Sequence, residues 1–265
     1  NEVFETRTLG LNPTMLSNEI LNERIRNNFD IYNNRDKVKK IYFYSAGLGV
    51  DSTKQRILKV FKSIFRNSDF DVKEDTYAAV YSVVDKGTPA IVNILGTGSN
   101  CTYFDGSDIS QKVNSLGFIL MDYASGNYYG KYLIRAYYFN KMPKKLRKEF
   151  GEKFDLSANS IKENLYRKEN PNTYLASFAK FIIDNKNDSY FKDIIEKGLR
   201  RFVEYQIMQF DNYKSVDIHY VGSIGYYLKE DIVRVGKEYG LKTSKFVKKP
   251  IEGLVDYHKK LLIKN

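Results

Sequence analysis

Several residue types are scarce or absent in this chain of 265 residues, and each scarcity excludes a class of structure. Cys101 is the single cysteine, so one chain can form no disulfide, no cysteine zinc site and no cysteine-ligated cluster. No apolar run reaches the ~18–20 residues that span a bilayer, and no signal-peptide pattern opens the sequence. These absences predict a cytoplasmic protein without a membrane partner.

Tryptophan is also absent, so the aromatic fraction of 15% is carried by 22 tyrosines and 17 phenylalanines. Hydrophobic residues make up 42% of the chain, which is enough to bury a full core. The length suits two domains better than one. There are two histidines: His219 lies in an apolar run and is expected in the core, whereas His258 is expected at the surface.

The net charge of +11, with a pI near 9.3, raises the question of nucleic-acid binding. Basic and acidic residues are interleaved along the whole length, and the densest basic clusters, at 144–148 and 242–249, are short. Neither cluster is the block of like charge that marks a binding tail. The pattern favours a lysine-rich surface and no nucleic-acid partner, with a positive field that helps to attract an anionic nucleotide.

Hydrophobic spacing predicts strands that alternate with helices. Strands are expected at residues 2–8, 39–44, 69–72, 90–95, 101–104, 217–221 and 245–247. Helices are expected at residues 18–27, after a cap at Asp51 or Ser52, at 75–84 and in several pieces across 126–211. A loop at 222–225 should lead into a further helix that ends at 235, and the last helix is expected at 251–262. Asp105-Gly106 is a strong hairpin signal. The pattern is typical of mixed sheets covered by helices, with a domain boundary near residue 99.

The segment Gly96-Thr-Gly-Ser-Asn100 follows a buried strand and is the most informative part of the sequence. Its two glycines let the backbone approach an anion, and the hydroxyls of Thr97 and Ser99 can add hydrogen bonds to a phosphate. The segment matches neither the dinucleotide-binding fingerprint nor the P-loop pattern. A plain β-turn between two strands explains the same residues, and the glycines alone do not decide between the two.

Together with other segments, this loop carries a resemblance to a known family. The supporting segments are Gly10-Leu-Asn-Pro13, Tyr44-Ser-Ala-Gly47, residues 116–126, His219-Tyr-Val-Gly-Ser-Ile-Gly225 and Pro250-Ile-Glu-Gly-Leu-Val255. In this order and spacing they resemble the N-acetylglucosamine kinases among the BadF/BadG/BcrA/BcrD-type ATPases, most closely those of the Bacteroidetes type. The resemblance covers nearly the whole chain and places it in the sugar kinase, Hsp70 and actin superfamily.

The resemblance implies an α/β fold of two ribonuclease-H-like domains with a cleft between them. Residues 1–98 would form the first domain, with 251–265 packing back on it, and 99–250 the second, with a helical insertion. The implied reaction transfers the γ-phosphoryl group of ATP, with Mg²⁺, to the 6-hydroxyl of an N-acetylated amino sugar. The amino sugar and ATP are therefore the expected partners, and a homodimer is left open.

The resemblance also implies roles for individual residues. Asp75 matches the catalytic aspartate, which accepts the proton of the sugar hydroxyl. Thr97 and Gly98 match a phosphate-binding loop, and Gly222 and Ser223 match the adenosine-binding loop. The residues expected to contact the sugar are Asn12, Ser45, Gly47, Ser99, Asn100, Gly117 and Asp122. For each of them a structural role in a turn or a cap is the alternative.

Two departures from the family pattern bear on function. The family's first phosphate-binding segment, of the type Asp-Gly-Gly-Ser-Thr-Lys-Thr, has no counterpart, and we expect it to precede Asn1. The family's Asp-Glu-Gly-Ser-Gly reads Asp122-Tyr-Ala-Ser-Gly126, so that Tyr123 and Ala124 replace a glutamate and a glycine. Loss of an acid beside the sugar would suit N-acetylmuramic acid, which carries an extra carboxylate. Which amino sugar is preferred is left open.

Three other functions compete with a sugar kinase. A non-catalytic regulator that binds sugar or nucleotide would explain both departures. An activator ATPase for a CoA dehydratase or reductase is disfavoured, because such proteins hold an iron–sulfur cluster with more than one cysteine per subunit. Nucleic-acid binding is the least favoured of the three.

Overall fold

The computed structural model of the chain describes residues 4–263. These residues form two compact units that divide between Ala78 and Ala79. We call the part up to Ala78 unit 1 and the part from Ala79 onward unit 2. No helix of the described range has the length and apolar character needed to cross a bilayer.

Unit 1 is built on a parallel pair of strands, β1 (Lys40–Tyr44) and β2 (Asp69–Lys73). Its helices are α1 (Asn18–Arg26), α2 (Phe29–Asn33), α3 (Asp51–Ile64) and the first turn of α4 (Asp75–Val83). Ser17 caps α1 by accepting a hydrogen bond from the Ile20 N–H, as the sequence predicts.

The core of unit 1 lies between α3 and the two strands. The buried positions of α3 recur at helical spacing, at residues 57, 60, 61 and 64. The ring of Phe61 packs edge-on against Phe43 of β1, with 4.9 Å between centroids, and is stacked on Phe70 of β2 at 5.9 Å. This contact holds the helix on the sheet and fixes the ends of both strands.

Unit 2 contains a five-stranded mixed sheet in the order β5-β4-β3-β6-β7. Its strands are β3 (Ala90–Leu95), β4 (Ser99–Phe104), β5 (Ile109–Ser110), β6 (Asp217–Val221) and β7 (Lys242–Val247). The central strand β3 runs antiparallel to β4 and parallel to β6, while β7 runs parallel to β6. Such a central strand is buried on both faces, which explains why all its residues except the buried Asn93 are apolar.

The helices of unit 2 supply most of its core. They are α5 (Gly126–Tyr138), α6 (Lys144–Lys153), α7 (Ala158–Tyr166), α8 (Pro171–Ser177), α9 (Ala179–Asp184), α10 (Ser189–Tyr205), α11 (Ser223–Tyr227), α12 (Lys229–Glu238) and α13 (Pro250–Ile263). Aromatic rings dominate the packing, among them Tyr129, Phe150, Phe191 and Phe202, which are all fully buried.

Several sequence predictions need correction at the level of elements. Residues 4–8 form no strand, and residues 2 and 3 of that predicted strand lie outside the described residues. Helix α3 begins at Asp51 itself, with Val50 at the N-cap and no side-chain cap, because Asp51 is already inside the first turn. The Asp105-Gly106 turn joins β4 to the short β5 and not to β3.

The division into units also differs from the predicted boundary at residues 98 and 99. That boundary falls inside the hairpin of β3 and β4, whose residues pair from Ala90 with Phe104 to Leu95 with Ser99. Continuous pairing keeps both strands in unit 2. Helix α13 lies against the end of α4, where Tyr257 stacks on Tyr81 with 4.3 Å between ring centroids; residues 264 and 265 lie outside the described residues.

Candidate functional site

The predicted phosphate loop is the tight turn between β3 and β4. Leu95 pairs with Ser99 across this turn, which therefore consists of Gly96, Thr97 and Gly98. The Gly96 N–H donates to the Gly98 carbonyl over 3.0 Å, and Thr97 is exposed at the tip.

The N-terminus of α5 holds this turn from one side. The Gly126 N–H donates to the Gly96 carbonyl over 2.8 Å, and the Asn127 N–H donates to the Thr97 carbonyl over 3.0 Å. With the Gly98 carbonyl already bonded, all three carbonyls of the turn have partners within the protein. Within residues 4–263, the N–H groups of Thr97 and Gly98 donate to no protein group. Backbone N–H groups without a protein partner are the donors that anion-binding turns use.

Asp122 lies directly beneath the turn. It is buried and takes a left-handed backbone conformation with φ of 64°. A Cβ atom added to Gly98 would lie 2.8 Å from the Asp122 Oδ2 atom, so only glycine fits at 98 without displacing the carboxylate. The structure thus gives Asp122 a supporting position under the loop, and its predicted contact with sugar hydroxyls stays a prediction.

Asn127 is a residue of this site that the sequence reasoning missed. Its side chain is fully buried, and Nδ2 donates both to the Thr97 carbonyl over 2.7 Å and to Asp122 Oδ2 over 2.8 Å. Its Oδ1 atom has no partner among the described residues. The available signal was an amide side chain directly after Ser125-Gly126, where Ser125 caps α5 by accepting from the Tyr128 N–H.

Gly222 joins the second predicted nucleotide loop to the first. Its φ of 114° favours glycine, and an added Cβ atom would lie only 2.5 Å from the Leu95 carbonyl oxygen. The Gly222 N–H donates to the Val247 carbonyl over 2.8 Å, and Ser223 is the first residue of α11. Since β3 and β6 are parallel, both loops lie at the carboxyl edge of the sheet, where open α/β sheets bind ligands.

The remaining predicted sugar contacts in unit 2 have visible structural roles. Asn100 Oδ1 accepts hydrogen bonds from the Thr102 hydroxyl over 2.9 Å and from the Gln111 amide over 3.0 Å. Ser99 is the first residue of β4. Gly117 has φ of 80° with open space around its Cβ position, and its carbonyl accepts from the Met121 N–H. Their contact with a sugar stays a prediction.

In unit 1, Asp75 and Ser45 lie at neighbouring strand ends. Tyr44 of β1 is paired with Lys73 of β2, and the Ser45 N–H donates to the Lys73 carbonyl over 3.2 Å. Asp75 follows two residues later as the first residue of α4. The carboxyl ends of the two parallel strands therefore place the predicted base and one predicted sugar contact at the same edge.

The loop 45–49 brings the other predicted residues of unit 1 together. Asn12 Oδ1 accepts hydrogen bonds from the backbone N–H and the hydroxyl of Thr14, over 2.9 and 2.7 Å. Gly47 has φ of 78°, and a Cβ atom added there would lie 2.2 Å from Thr14 Cγ2. One added to Gly49 would lie 2.6 Å from Glu74 Oε1. The loop therefore contacts the Asn12 turn on one side and the residue before Asp75 on the other.

The environment of Asp75 favours the protonated form of its carboxyl group. Burial of the carboxylate raises its pKa, the negative charge of Glu74 raises it further, and the backbone N–H groups of Thr76 and Asp75 only partly oppose this. Residue 75 as a whole is nevertheless exposed to solvent, which limits the size of this pKa increase. A solvent-accessible carboxylate with a raised pKa is a stronger base than an ordinary aspartate.

The described residues contain no group of three or more histidine, cysteine, aspartate or glutamate side chains that could hold a metal ion. This does not conflict with the predicted use of Mg²⁺, which is commonly bound by one or two carboxylates and by the phosphates of the nucleotide. Binding of Mg²⁺ stays a prediction. Binding of phosphate by the turn at 96–98 also stays a prediction.

Comparison of the fold with solved structures gives clear similarities. The chain superposes on a Porphyromonas gingivalis protein, named provisionally as an N-acetylglucosamine kinase, with a TM-score of 0.88 and 27% identity over 95% of this chain and 89% of that one. A Chromobacterium violaceum protein of the same provisional name gives a TM-score of 0.54 and 14% identity, over 79% and 86% of the two chains.

No protein-family model and no curated protein matches the chain by sequence. The structural similarity confirms the predicted fold class, that of the actin-like ATPases to which sugar kinases belong. Membership of the BadF/BadG/BcrA/BcrD-type family stays a prediction.

Proposed function

We propose that this chain is an ATP-dependent kinase that phosphorylates the 6-hydroxyl group of an N-acetylated amino sugar. The observation that carries the proposal is the turn at Gly96, Thr97 and Gly98, whose carbonyls are all held within the protein while two of its N–H groups are available. Its position at the carboxyl edge of the sheet, in a fold shared with provisionally named N-acetylglucosamine kinases, supports the same reading.

In the proposed reaction the sugar hydroxyl oxygen attacks the γ-phosphorus of ATP. The bond from this phosphorus to the β,γ-bridging oxygen breaks, ADP leaves, and the hydroxyl proton passes to the Asp75 carboxylate. The raised pKa of Asp75 suits it to this role. The N–H groups of Thr97 and Gly98 hold phosphate oxygens as negative charge redistributes, which is the main task of a protein in phosphoryl transfer.

The nucleotide and the sugar would be held by the remaining predicted residues. Gly222 and Ser223 border the adenosine, next to the strand end that leads into the phosphate turn. When bound, Mg²⁺ would supply further charge neutralisation for the phosphates. The proposed sugar contacts are Asn12, Ser45, Gly47, Ser99, Asn100, Gly117 and Asp122.

The identity of the amino sugar depends on the segment after Asp122. Ala124 is fully buried with φ of 58°, and Tyr123 packs against Tyr128 and Tyr205 with ring centroids 5.5 and 5.3 Å apart. This segment carries no acid beyond Asp122, so both N-acetylglucosamine and N-acetylmuramic acid are proposed acceptors. Rates of ADP formation measured side by side with the two sugars show which of them is the preferred acceptor.

The decisive variant is Asp75→Asn. We expect kcat to fall on the order of 10²–10⁴-fold, because the proton acceptor is lost, while ATP still binds in a calorimetric titration. The matched control is Asp69→Asn, which removes an exposed carboxylate at the other end of β2 and should keep normal turnover. Unchanged turnover in Asp75→Asn would overturn the assignment of the base.

The alternative of a non-catalytic regulator is tested in the same assays. A titration that shows sugar binding by the wild-type protein, with no ADP formed above background, would favour the regulator and reject the kinase.

A further inference from the structure

Unit 2 contains a cavity of about 560 Å³ that the proposed reaction does not use. One wall is a face of α5 that carries Tyr128, Lys131 and Arg135, and a second wall is a face of α10 that carries Ile194, Lys197 and Arg201. Both sets follow helical spacing, so each lies along one side of its helix. The volume is within the range of small-molecule sites. None of the residues proposed to contact ATP or sugar lines it.

Five cationic side chains line this cavity, and no carboxylate does. They are Lys131, Arg135, Lys141, Lys197 and Arg201. None of the five forms a salt bridge with a described residue of the chain. Unpaired like charges around one cavity repel each other, and an anion in the cavity relieves that repulsion.

Two of the three acids of α10 are committed elsewhere, and the third, Asp193, is exposed one turn before Lys197 without lining the cavity. Helix α5 carries no acidic residue at all. On α10, Glu196 binds Arg200 and Arg234 over 2.9 Å each, and Glu204 accepts from the Tyr239 hydroxyl over 2.6 Å. The acids of these two helices therefore neutralise the positive charge of the cavity at most in part.

The charge of Asp122 acts on Lys131 and only partly compensates for the other influences on that side chain. Burial lowers the pKa of Lys131, Arg135 lowers it further, and Asp122 opposes both. The Asp122 carboxylate is held under the phosphate turn by Asn127. Lys131 itself donates to the Phe118 carbonyl, and Arg201 forms a hydrogen bond with the Tyr128 hydroxyl, so neither of these two cations is neutralised by an acid.

Aromatic rings complete the lining. Tyr123 and Tyr128 pack against each other, and the Arg201 guanidinium lies over the Tyr123 ring at 5.9 Å from its centroid. Tyr132 and Phe139 lie further along the same face of α5. Such rings bind flat or apolar ligand bodies, while guanidinium groups bind phosphate oxygens in pairs.

We propose that this cavity binds a small phosphomonoester, with its phosphate among the cations and its organic body against the tyrosines. A phosphomonoester carries about 1.5 to 2 negative charges at pH 7. It therefore neutralises several neighbouring cations better than a ligand with a single carboxylate, which carries one negative charge. The two arginines provide the paired donors that phosphate oxygens accept. None of the residues of the turn at 96–98 lines this cavity.

The test is calorimetric titration of the whole chain with phenyl phosphate, with phenol as the uncharged counterpart. Glucose 6-phosphate and glucose form a second pair that tests a sugar body in place of a planar one. The variant Arg135→Gln/Arg201→Gln removes two charges of the cavity, and Lys145→Gln/Lys192→Gln removes two exposed charges that do not line it. Thermal unfolding of each variant checks that it is folded.

We expect at least one phosphate ester to bind while its uncharged counterpart does not. Arg135→Gln/Arg201→Gln should weaken this binding by about tenfold or more, because charge-assisted hydrogen bonds are lost, and the control variant should bind normally. Equal affinity in the wild type and in Arg135→Gln/Arg201→Gln, or no binding of either ester, would overturn the proposal. Asp75→Asn should bind the ester normally, so the result does not depend on kinase activity.

Discussion

At the scale of single residues, the basicity of Asp75 depends on its immediate neighbour. Glu74 precedes it in the chain, and its negative charge is one of the two causes that raise the pKa of Asp75. The carboxylate of Glu74 lies where a side chain at Gly49 would otherwise be, so a glycine in the 45–49 loop makes room for it. The absence of a side chain at Gly49 therefore allows the Glu74 carboxylate to lie where it does.

Replacing Glu74 by glutamine should move the pH dependence of the proposed reaction. A general base acts only when it is unprotonated, so activity falls as the pH drops through its pKa. Removing the Glu74 charge lowers the pKa of Asp75, and the acid limb of the kcat/KM profile should move to lower pH. The control is Glu23→Gln, an exposed substitution on α1. An acid limb that stays in place in Glu74→Gln would show that another group limits the rate.

Single-residue predictions from sequence succeeded where the residue type constrains the backbone. Gly47, Gly117 and Gly222 all take positive φ, which a glycine in a loop signals directly. His219 is buried and its Nδ1 atom accepts the Lys245 N–H over 3.2 Å, so its expected core position is confirmed. The expected surface position of His258 is wrong, because it is buried; it lies four residues after the buried Leu254 and so on the same face of α13.

At the scale of elements, the turn at 96–98 is rigid because different parts of unit 2 hold it. The β3–β4 ladder closes its base, α5 binds two of its carbonyls, and Gly222 presses against the strand end that enters it. Asp122 occupies the space below Gly98. A side chain at residue 98 would therefore clash with Asp122, whereas a side chain at residue 96 would meet no neighbouring atom.

The pair Gly98→Ala and Gly96→Ala tests this packing. The Cβ atom of Gly98→Ala would lie 2.8 Å from Asp122 Oδ2, whereas Gly96 has no atom within 4 Å of its Cβ position. We expect Gly98→Ala to lower the free energy of unfolding by about 1–3 kcal/mol, the usual cost of overpacking, and to weaken ATP binding. Gly96→Ala should change the free energy of unfolding much less.

Urea unfolding and ATP titration measure both effects. In Gly98→Ala/Asp122→Gly the clash is absent, and glycine accepts the φ of 64° at residue 122. The added cost of Gly98→Ala should therefore shrink in this background. Equal destabilisation by the two single substitutions would argue against a packed turn.

Sequence reasoning located the turn but not what supports it. The largely apolar run at 90–95 identified β3 with its observed ends, and the glycines identified a loop at 96–100, of which residues 99 and 100 belong to β4. The contacts of Asn127 with Thr97 and Asp122 span 30 and 5 positions, and only the folded chain brings α5 to the turn. The loop expected at 222–225 is instead the start of α11, because Gly222 alone makes the change of direction.

At the scale of the whole molecule, the sequence predicts the amount of charge but not its location. The net charge of +11 is spread along the chain in sequence, yet the fold brings cations from α5 and α10 to one cavity. The basic clusters at 144–148 and 242–249, which the sequence emphasises, do not line it. Helical spacing on two separate helices is the signal, and it becomes readable only once their packing is known.

The two units differ in the number of strands in their sheets and in how deeply those strands are buried. In unit 1, β1 has β2 as its only strand partner among the described residues, and the buried side chains come mainly from α1 and α3. In unit 2, β3 lies between two strand partners and is buried along most of its length. A sheet of two strands is only marginally stable without further packing.

We therefore expect hydrogen exchange to be faster in unit 1. Amides in peptides that cover residues 40–44 should exchange through openings of lower free energy than those in peptides that cover residues 90–95, because fewer buried contacts are lost on opening. Hydrogen-exchange mass spectrometry under native conditions measures this, with rates referred to the unfolded chain. Protection of β1 equal to or greater than that of β3 would contradict the prediction and would mean that unit 1 opens only when the whole chain unfolds.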